Sequence, residues 1–190
     1  IGLPMKADTQ LIDSGREEKW TQGGVNPVVQ RASTMVFDSV SDMKHATANR
    51  AGDTLFYGRR GTTTTFALSK AMTELEGGAG CALYPCGTAA ITSALLSFLK
   101  HGDHLLMVDT AYEPTRAFCD NMLKNLGIST TYYDPLIGKD IESLIQPNTR
   151  MLFLESPGSN TMEIQDVPTL SAIAHQHDIT VVLDNTWGSG

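Results

Sequence analysis

A chain of 190 residues, 41% hydrophobic and 18% charged, is long enough for one sizeable core, which excludes a disordered or fibrous protein. Its formal net charge of -7, with no Lys/Arg run longer than a pair, lacks the concentrated positive field that a nucleic acid or an anionic membrane surface requires, so a small-molecule partner is expected. Cys81, Cys86 and Cys119 are odd in number and lack metal-ligand spacing, so they read as buried thiols of a reducing compartment and point to the cytoplasm. No apolar run approaches the roughly 20 residues that cross a bilayer, and no basic flank precedes a hydrophobic stretch at the start. Ile1 to Pro4, ahead of Met5, read as a cloning remnant.

Up to Gly61 the chain has little sustained period and is punctuated by Gly23-Gly24 and Asn26-Pro27, so residues 1–61 are expected to form an extended arm. From Thr65, Leu68, Ala71, Met72 and Leu75 recur at helical spacing and Gly77-Gly78 supplies a stop. An alternation follows. Cys81 to Tyr84 is a short apolar run, and Gly87 opens a helix with Ile91, Ala94, Leu95 and Phe98 on one face before Gly102. His104 to Val108 reads as a strand, Pro114 to Leu126 as a helix followed by Gly127, and Ser129 to Tyr133 as a strand. A short helix near Asp140 leads to a strand at Met151 to Leu154, and a helix beginning at Asp166, with Pro168 just inside, leads to a strand at Thr180 to Leu183. Five strands alternating with helices predict an α/β fold with a mostly parallel sheet and helices on both faces, whose chemistry sits at the C-terminal ends of the strands.

Several residues fall at such places. Tyr84-Pro85-Cys86-Gly87-Thr88-Ala89-Ala90 is a strand, a tight turn and a helix start of small residues, where the free N-H groups of Gly87 and Thr88 would face an anion. Asp184 follows the last strand, and a protonated heterocycle nitrogen would suit its carboxylate. Phe56-Tyr57-Gly58-Arg59-Arg60-Gly61 offers a phenol and two guanidinium groups, the latter fitted to bidentate phosphate recognition. Tyr112, just beyond a strand end, could cover a flat ligand. Each has a plainer counterpart: a strand-to-helix turn, a capping aspartate, a solvated arginine pair and a core tyrosine. The thiol of Cys86 at a helix start is more simply a small residue in that turn. His175 and His177 do not share a helix face, and His45, His101 and His104 are scattered, so no metal site is expected.

The strings YGRRGT, PCGTAA, DTAYEP, YYDPLIG, LESPGS and DNTW, in this order and spacing from Asp8 to Gly190, resemble the fold-type I pyridoxal-phosphate enzymes of cysteine and methionine metabolism. The resemblance implies that residues 62–190 are the N-terminal part of the large, cofactor-binding domain, preceded by the arm. It implies that Gly87 and Thr88 hold the cofactor phosphate, Tyr112 stacks on the pyridine ring and Asp184 pairs with its protonated nitrogen. Tyr57 and Arg59 would reach the phosphate of a neighbouring subunit. Tyr112 and, from across the interface, Tyr57 are the implied proton-handling residues, in a homotetramer of dimers that share active sites through the arm.

Two departures separate β- from γ-chemistry within the resemblance. Tyr57-Gly58-Arg59-Arg60-Gly61-Thr62 lacks the later Asn-Pro pair of γ-acting relatives, and Glu155-Ser156-Pro157-Gly158-Ser159-Asn160 has serine where asparagine is usual. Both look like the bacterial cystathionine β-lyase branch, which implies elimination from L-cystathionine to L-homocysteine, pyruvate and ammonia in methionine biosynthesis, with activity on cysteine S-conjugates. A γ-synthase or γ-lyase of the same family, and a non-catalytic fragment or binding module, stay open as alternatives. The family's Schiff-base lysine follows the DNTW string at some distance, and no lysine follows Trp187. The chain alone is therefore expected to hold cofactor weakly and to turn nothing over.

Overall fold

The computed structural model describes residues 6–189; the reading of Ile1 to Pro4 as a remnant lies outside them. The chain divides into two compact units, one reaching to Leu83 and the other spanning Tyr84–Ser189.

The first unit holds α1 (Ala7–Asp13), α2 (Glu18–Thr21), α3 (Val40–Ala48), a 3-10 turn at Gly58–Arg60 and α4 (Thr63–Leu75). The stretch expected to be an extended arm thus carries three short helices joined by irregular chain. They are too short to show an apolar period, although the Ser39 hydroxyl accepts from the Asp42 N-H (3.1 Å) in a regular N-cap. At the start of helix α4 the Thr62 N-H donates to the Thr65 hydroxyl (2.9 Å), one half of a capping box. Gln30 braces the same end, its Oε1 accepting from the Thr63 N-H (3.1 Å) and hydroxyl (3.0 Å). Buried Trp20 packs on Phe66, with ring centroids 6.5 Å apart.

The second unit is a parallel sheet of β1 (His104–Val108), β2 (Ser129–Tyr133), β3 (Thr149–Glu155) and β4 (Thr180–Asp184), in the order β2-β1-β3-β4. Its helices are α5 (Gly87–Phe98), α6 (Glu113–Phe118) and α7 (Val167–Gln176), with a 3-10 segment at Gly138–Leu144. Every residue of β1 and all of β3 except Arg150 are buried, as expected of central strands covered on both faces. Leu105, Leu106, Met107, Met151, Phe153 and Leu154 form the centre of the core, into which Leu95, Leu123 and Leu170 pack from the helical segments.

Two expectations need correction. Cys81 to Tyr84 is not a strand: it joins no ladder among the described residues, and the Cys81 carbonyl is taken by the Ser69 hydroxyl (2.7 Å). An apolar run becomes a strand only where a neighbour completes its hydrogen bonds. The helix expected over Pro114 to Leu126 is present, starting at Glu113 and passing through a π-helical turn at Cys119–Leu123, with Cys119 and Leu123 both turned into the core. The thiols are also not uniformly buried, since Cys86 is exposed and only Cys119 is buried. Burial pushes the Cys119 thiol up to about 12.

Candidate active site

The chain runs from β1 to β2 on one side and then returns past β1 to β3 and β4, so the strand order reverses between β1 and β3. In open parallel sheets, the crevice beyond the C-terminal ends of the strands at such a reversal is where ligands bind. Here it lies between the loop after Val108 and the loop after Glu155. The two loops are joined: the Ser159 N-H donates to the Thr110 carbonyl (2.9 Å), and the Tyr112 N-H donates to Glu155 Oε2 (2.8 Å). Gly158 lies so close that a Cβ there would stand 2.5 Å from Thr110 Oγ1. The Ser156-Pro157 peptide beside it is cis.

Tyr112 is the N-cap residue of α6, and its side chain is half exposed at this edge, not the core tyrosine of the plainer reading. Asp184 is the last residue of β4 and pairs in register with Glu155 on β3, so both carboxylates stand at the C-terminal edge. The Thr186 N-H (3.1 Å) and hydroxyl (2.6 Å) both donate to Asp184 Oδ1, and among the described residues no donor reaches Oδ2.

Helix α5 packs against β4. Its N-cap residue, Cys86, supplies no side-chain hydrogen bond, as at the starts of α1, α2 and α6, whereas α3 is capped by Ser39 and α7 by Asp166. The first intrahelical bond at this end comes from the Ala90 N-H, which donates to the Cys86 carbonyl (3.1 Å). The Gly87, Thr88 and Ala89 N-H groups ahead of it therefore point out of the helix end, where Gly87 and Thr88 are exposed. Nothing lies within 4 Å of where a Gly87 Cβ would be, so the start of the helix is open.

In the first unit, Tyr57 and Arg59 adjoin each other, with the guanidinium carbon 5.3 Å from the phenol ring centroid. The Tyr57 backbone bridges to Thr34, and the Gly58 N-H donates to the Ser33 carbonyl (2.6 Å). A Cβ at Gly58 would stand 1.8 Å from the Ala32 carbonyl oxygen, so this turn needs glycine. A hydrogen bond with the Ser33 side chain holds the Tyr57 phenol below its ordinary pKa, aided by Arg59 and partly opposed by burial. Arg59 and Arg60 line a cleft of about 640 Å³ together with Trp20, Asp53, Phe66 and Lys70.

Sequence reasoning passed over Glu155 and Gln165. Glu155 is 5% exposed, and its oxygens accept from the Tyr112 N-H and, at 2.5 Å, from the Ser159 hydroxyl. Gln165, 4% exposed, accepts the Glu155 N-H at Oε1 (3.0 Å) and donates from Nε2 to the Tyr133 hydroxyl (3.2 Å). The only legible signal was the position of Glu155 at the end of an apolar strand.

An open helix start, an aromatic ring and a carboxylate on one unit define a protein suited to a flat heterocycle that carries a phosphate and a protonated nitrogen. That donor set fits pyridoxal phosphate: backbone N-H groups for the dianion, Tyr112 for the ring face and Asp184 for the nitrogen.

The chain belongs to the Cys/Met metabolism PLP-dependent enzyme family, whose sequence model matches residues 8–190. It is 59% identical over 184 residues to the cystathionine beta-lyase of Haemophilus influenzae, covering 96% of this chain and 46% of that protein. It is 56% identical to cystathionine beta-lyase MetC of Escherichia coli, covering 97% and 47% respectively. A solved cystathionine gamma-lyase from Lactobacillus plantarum superposes with a TM-score of 0.85 at 28% identity, over 97% of this chain and 46% of that one. The chain thus spans about half the length of the curated relatives it matches, and the fold is that of the fold-type I pyridoxal-phosphate enzymes.

Proposed function

We propose that this chain is the cofactor-anchoring part of a pyridoxal-phosphate-dependent carbon-sulfur lyase. The reaction cleaves L-cystathionine at its β-carbon and, with water, gives L-homocysteine, pyruvate and ammonia in methionine biosynthesis. The observation that carries the reading is the pairing of an uncapped helix start at Gly87 and Thr88 with Asp184 on the strand against which that helix packs.

Bound pyridoxal phosphate supplies the electron sink for the pair left when the substrate's α-proton departs. The rest of the work falls to side chains. Gly87 and Thr88 present N-H donors to the phosphate, and the positive end of the α5 dipole favours its charge. Tyr112 covers the ring face. Asp184, with Oδ1 held by Thr186, has Oδ2 left to pair with the ring nitrogen and would stabilise its protonated form. Tyr57, with its phenol already shifted toward ionisation, and Arg59 reach the phosphate of a neighbouring subunit through the arm formed by residues 1–61, in a homotetramer built from dimers. Residues 62–190 then belong to the cofactor-binding domain, and Tyr112 and Tyr57 are the candidates for holding or moving protons. A cytoplasmic setting suits free thiols and a small-molecule substrate. Among the described residues no helix is long and apolar enough to cross a membrane.

The test is product analysis on the full-length protein. Pyruvate from cystathionine supports the reading, whereas 2-oxobutyrate would place the protein among the γ-acting relatives. Asp184→Ala should abolish turnover while leaving the far-ultraviolet circular dichroism unchanged.

A further inference from the structure

A buried carboxylate is costly to fold around unless donors satisfy it. Glu155 is such a group, and among the described residues no cation pairs with it. Its two oxygens accept from two different loops, one from the Tyr112 N-H after β1 and the other from the Ser159 hydroxyl after β3. An ionised carboxylate only accepts, so one side chain can take both donors at once. Glu155 is itself fixed, because Gln165 holds its N-H and is anchored in turn on the buried Tyr133 hydroxyl, which donates to the Phe153 carbonyl (2.9 Å). As N-cap residue of α6, Tyr112 makes no intrahelical bond with its N-H, and holding that N-H fixes the backbone from which the ring projects.

We propose that Glu155 is a positioning residue for Tyr112: its carboxylate clamps the two loops of the β1/β3 crevice and so sets the direction of the ring that covers the cofactor. Each Glu155 oxygen already accepts from a protein donor, so its proposed part is to orient Tyr112 rather than to take part in the chemistry. The inference rests on the reading that Tyr112 stacks on pyridoxal phosphate, but the clamp can be tested without the cofactor.

The experiment compares Glu155→Ala, Glu155→Gln and Ser159→Ala in the full-length protein. It uses amide hydrogen exchange at Tyr112 in the cofactor-free form, then pyridoxal-phosphate titration followed by visible circular dichroism. Loss of a hydrogen bond to a charged acceptor should speed Tyr112 exchange about tenfold or more in Glu155→Ala. The cofactor's dichroic band should shrink and its affinity fall by a similar factor. Glu155→Gln should restore both readouts to within about threefold of the parent, because the carboxamide oxygen still accepts from Tyr112 while its NH2 donates to a rotated Ser159 hydroxyl. If Glu155→Ala does not fold, Ser159→Ala carries the test with a smaller acceleration of the same amide. Unchanged Tyr112 exchange in the folded variant, or a glutamine variant as impaired as alanine, overturns the clamp. Failure of the stacking reading has a separate signature: Tyr112→Ala would then bind the cofactor as tightly as the parent.

Discussion

Cys86→Asp should move protein stability and cofactor affinity in opposite directions. Cys86 has the extended backbone of an N-cap (φ -162°, ψ 166°) yet contributes no side-chain acceptor, unlike Ser39 and Asp166, each of which binds the N-H three residues on at 3.1 Å. An aspartate at this position can turn its carboxylate onto the Thr88 or Ala89 N-H, adding a cap and a favourable charge at the positive helix end. That should stabilise the cofactor-free protein by about 1 kcal/mol. The same carboxylate would occupy donors proposed for the phosphate and repel it. Two charges about 5 Å apart at an effective dielectric of about 20 oppose each other by roughly 3 kcal/mol. Solvent at this exposed end screens part of that, leaving an affinity loss of about tenfold or more. Chemical denaturation of the cofactor-free protein and fluorescence titration with pyridoxal phosphate measure the two effects. A variant that gains stability but binds the cofactor as the parent does would show that the phosphate does not use this helix end.

Gly158→Ala should cost about 1–3 kcal/mol in denaturant unfolding, because the added Cβ would stand 2.5 Å from Thr110 Oγ1 and 2.7 Å from Thr110 Cβ in a buried contact. Asp166→Ala removes the acceptor for the Thr169 N-H and should lower the denaturation midpoint; an unchanged midpoint would show that α7 does not depend on its cap. His104 is buried between the Thr149 and Thr131 hydroxyls, both at 2.8 Å, and burial holds its pKa below the ordinary histidine value. Its neutral form is the one favoured in the fold, so the contribution is present above about pH 6.5 and is lost as the pH falls toward the folded-state pKa. The acid limb of a stability-pH profile should flatten in His104→Asn, and an identical limb would assign the acid sensitivity to other groups.

The sheet was legible because the central strands His104–Val108 and Thr149–Glu155 carry apolar runs bounded by turn residues, and Ser129–Tyr133, Ser-Thr-Thr-Tyr-Tyr, is rich in the β-branched and aromatic residues that strands favour. Cys81 to Tyr84 has the same local pattern and is not a strand, since pairing is a relation between segments that composition does not carry. Helices α1 and α2, of 7 and 4 residues, are too short for a period, whereas α3 did have a readable start in Ser39-Val40-Ser41-Asp42. In the second unit, residues at strand ends and helix starts could be picked out by position: Asp184 ends β4, Tyr112 caps α6 and Gly87 opens α5. The role of Glu155 could not, because it depends on a hydrogen bond to a residue 43 positions away.

Glu155 and Asp184 show why residue type alone did not separate support from chemistry. They end neighbouring strands in register, and each carboxylate accepts from a residue a few positions further along. They differ in what remains. In Glu155 both oxygens are taken by protein donors and the side chain is buried, so the group is fully used in holding loops together. In Asp184 the two hydrogen bonds from Thr186 converge on Oδ1, which orients the carboxylate while leaving Oδ2 for a ligand. A donor outside the protein can still reach Asp184 Oδ2, so of these two acids Asp184 is the one we propose for the cofactor's protonated nitrogen.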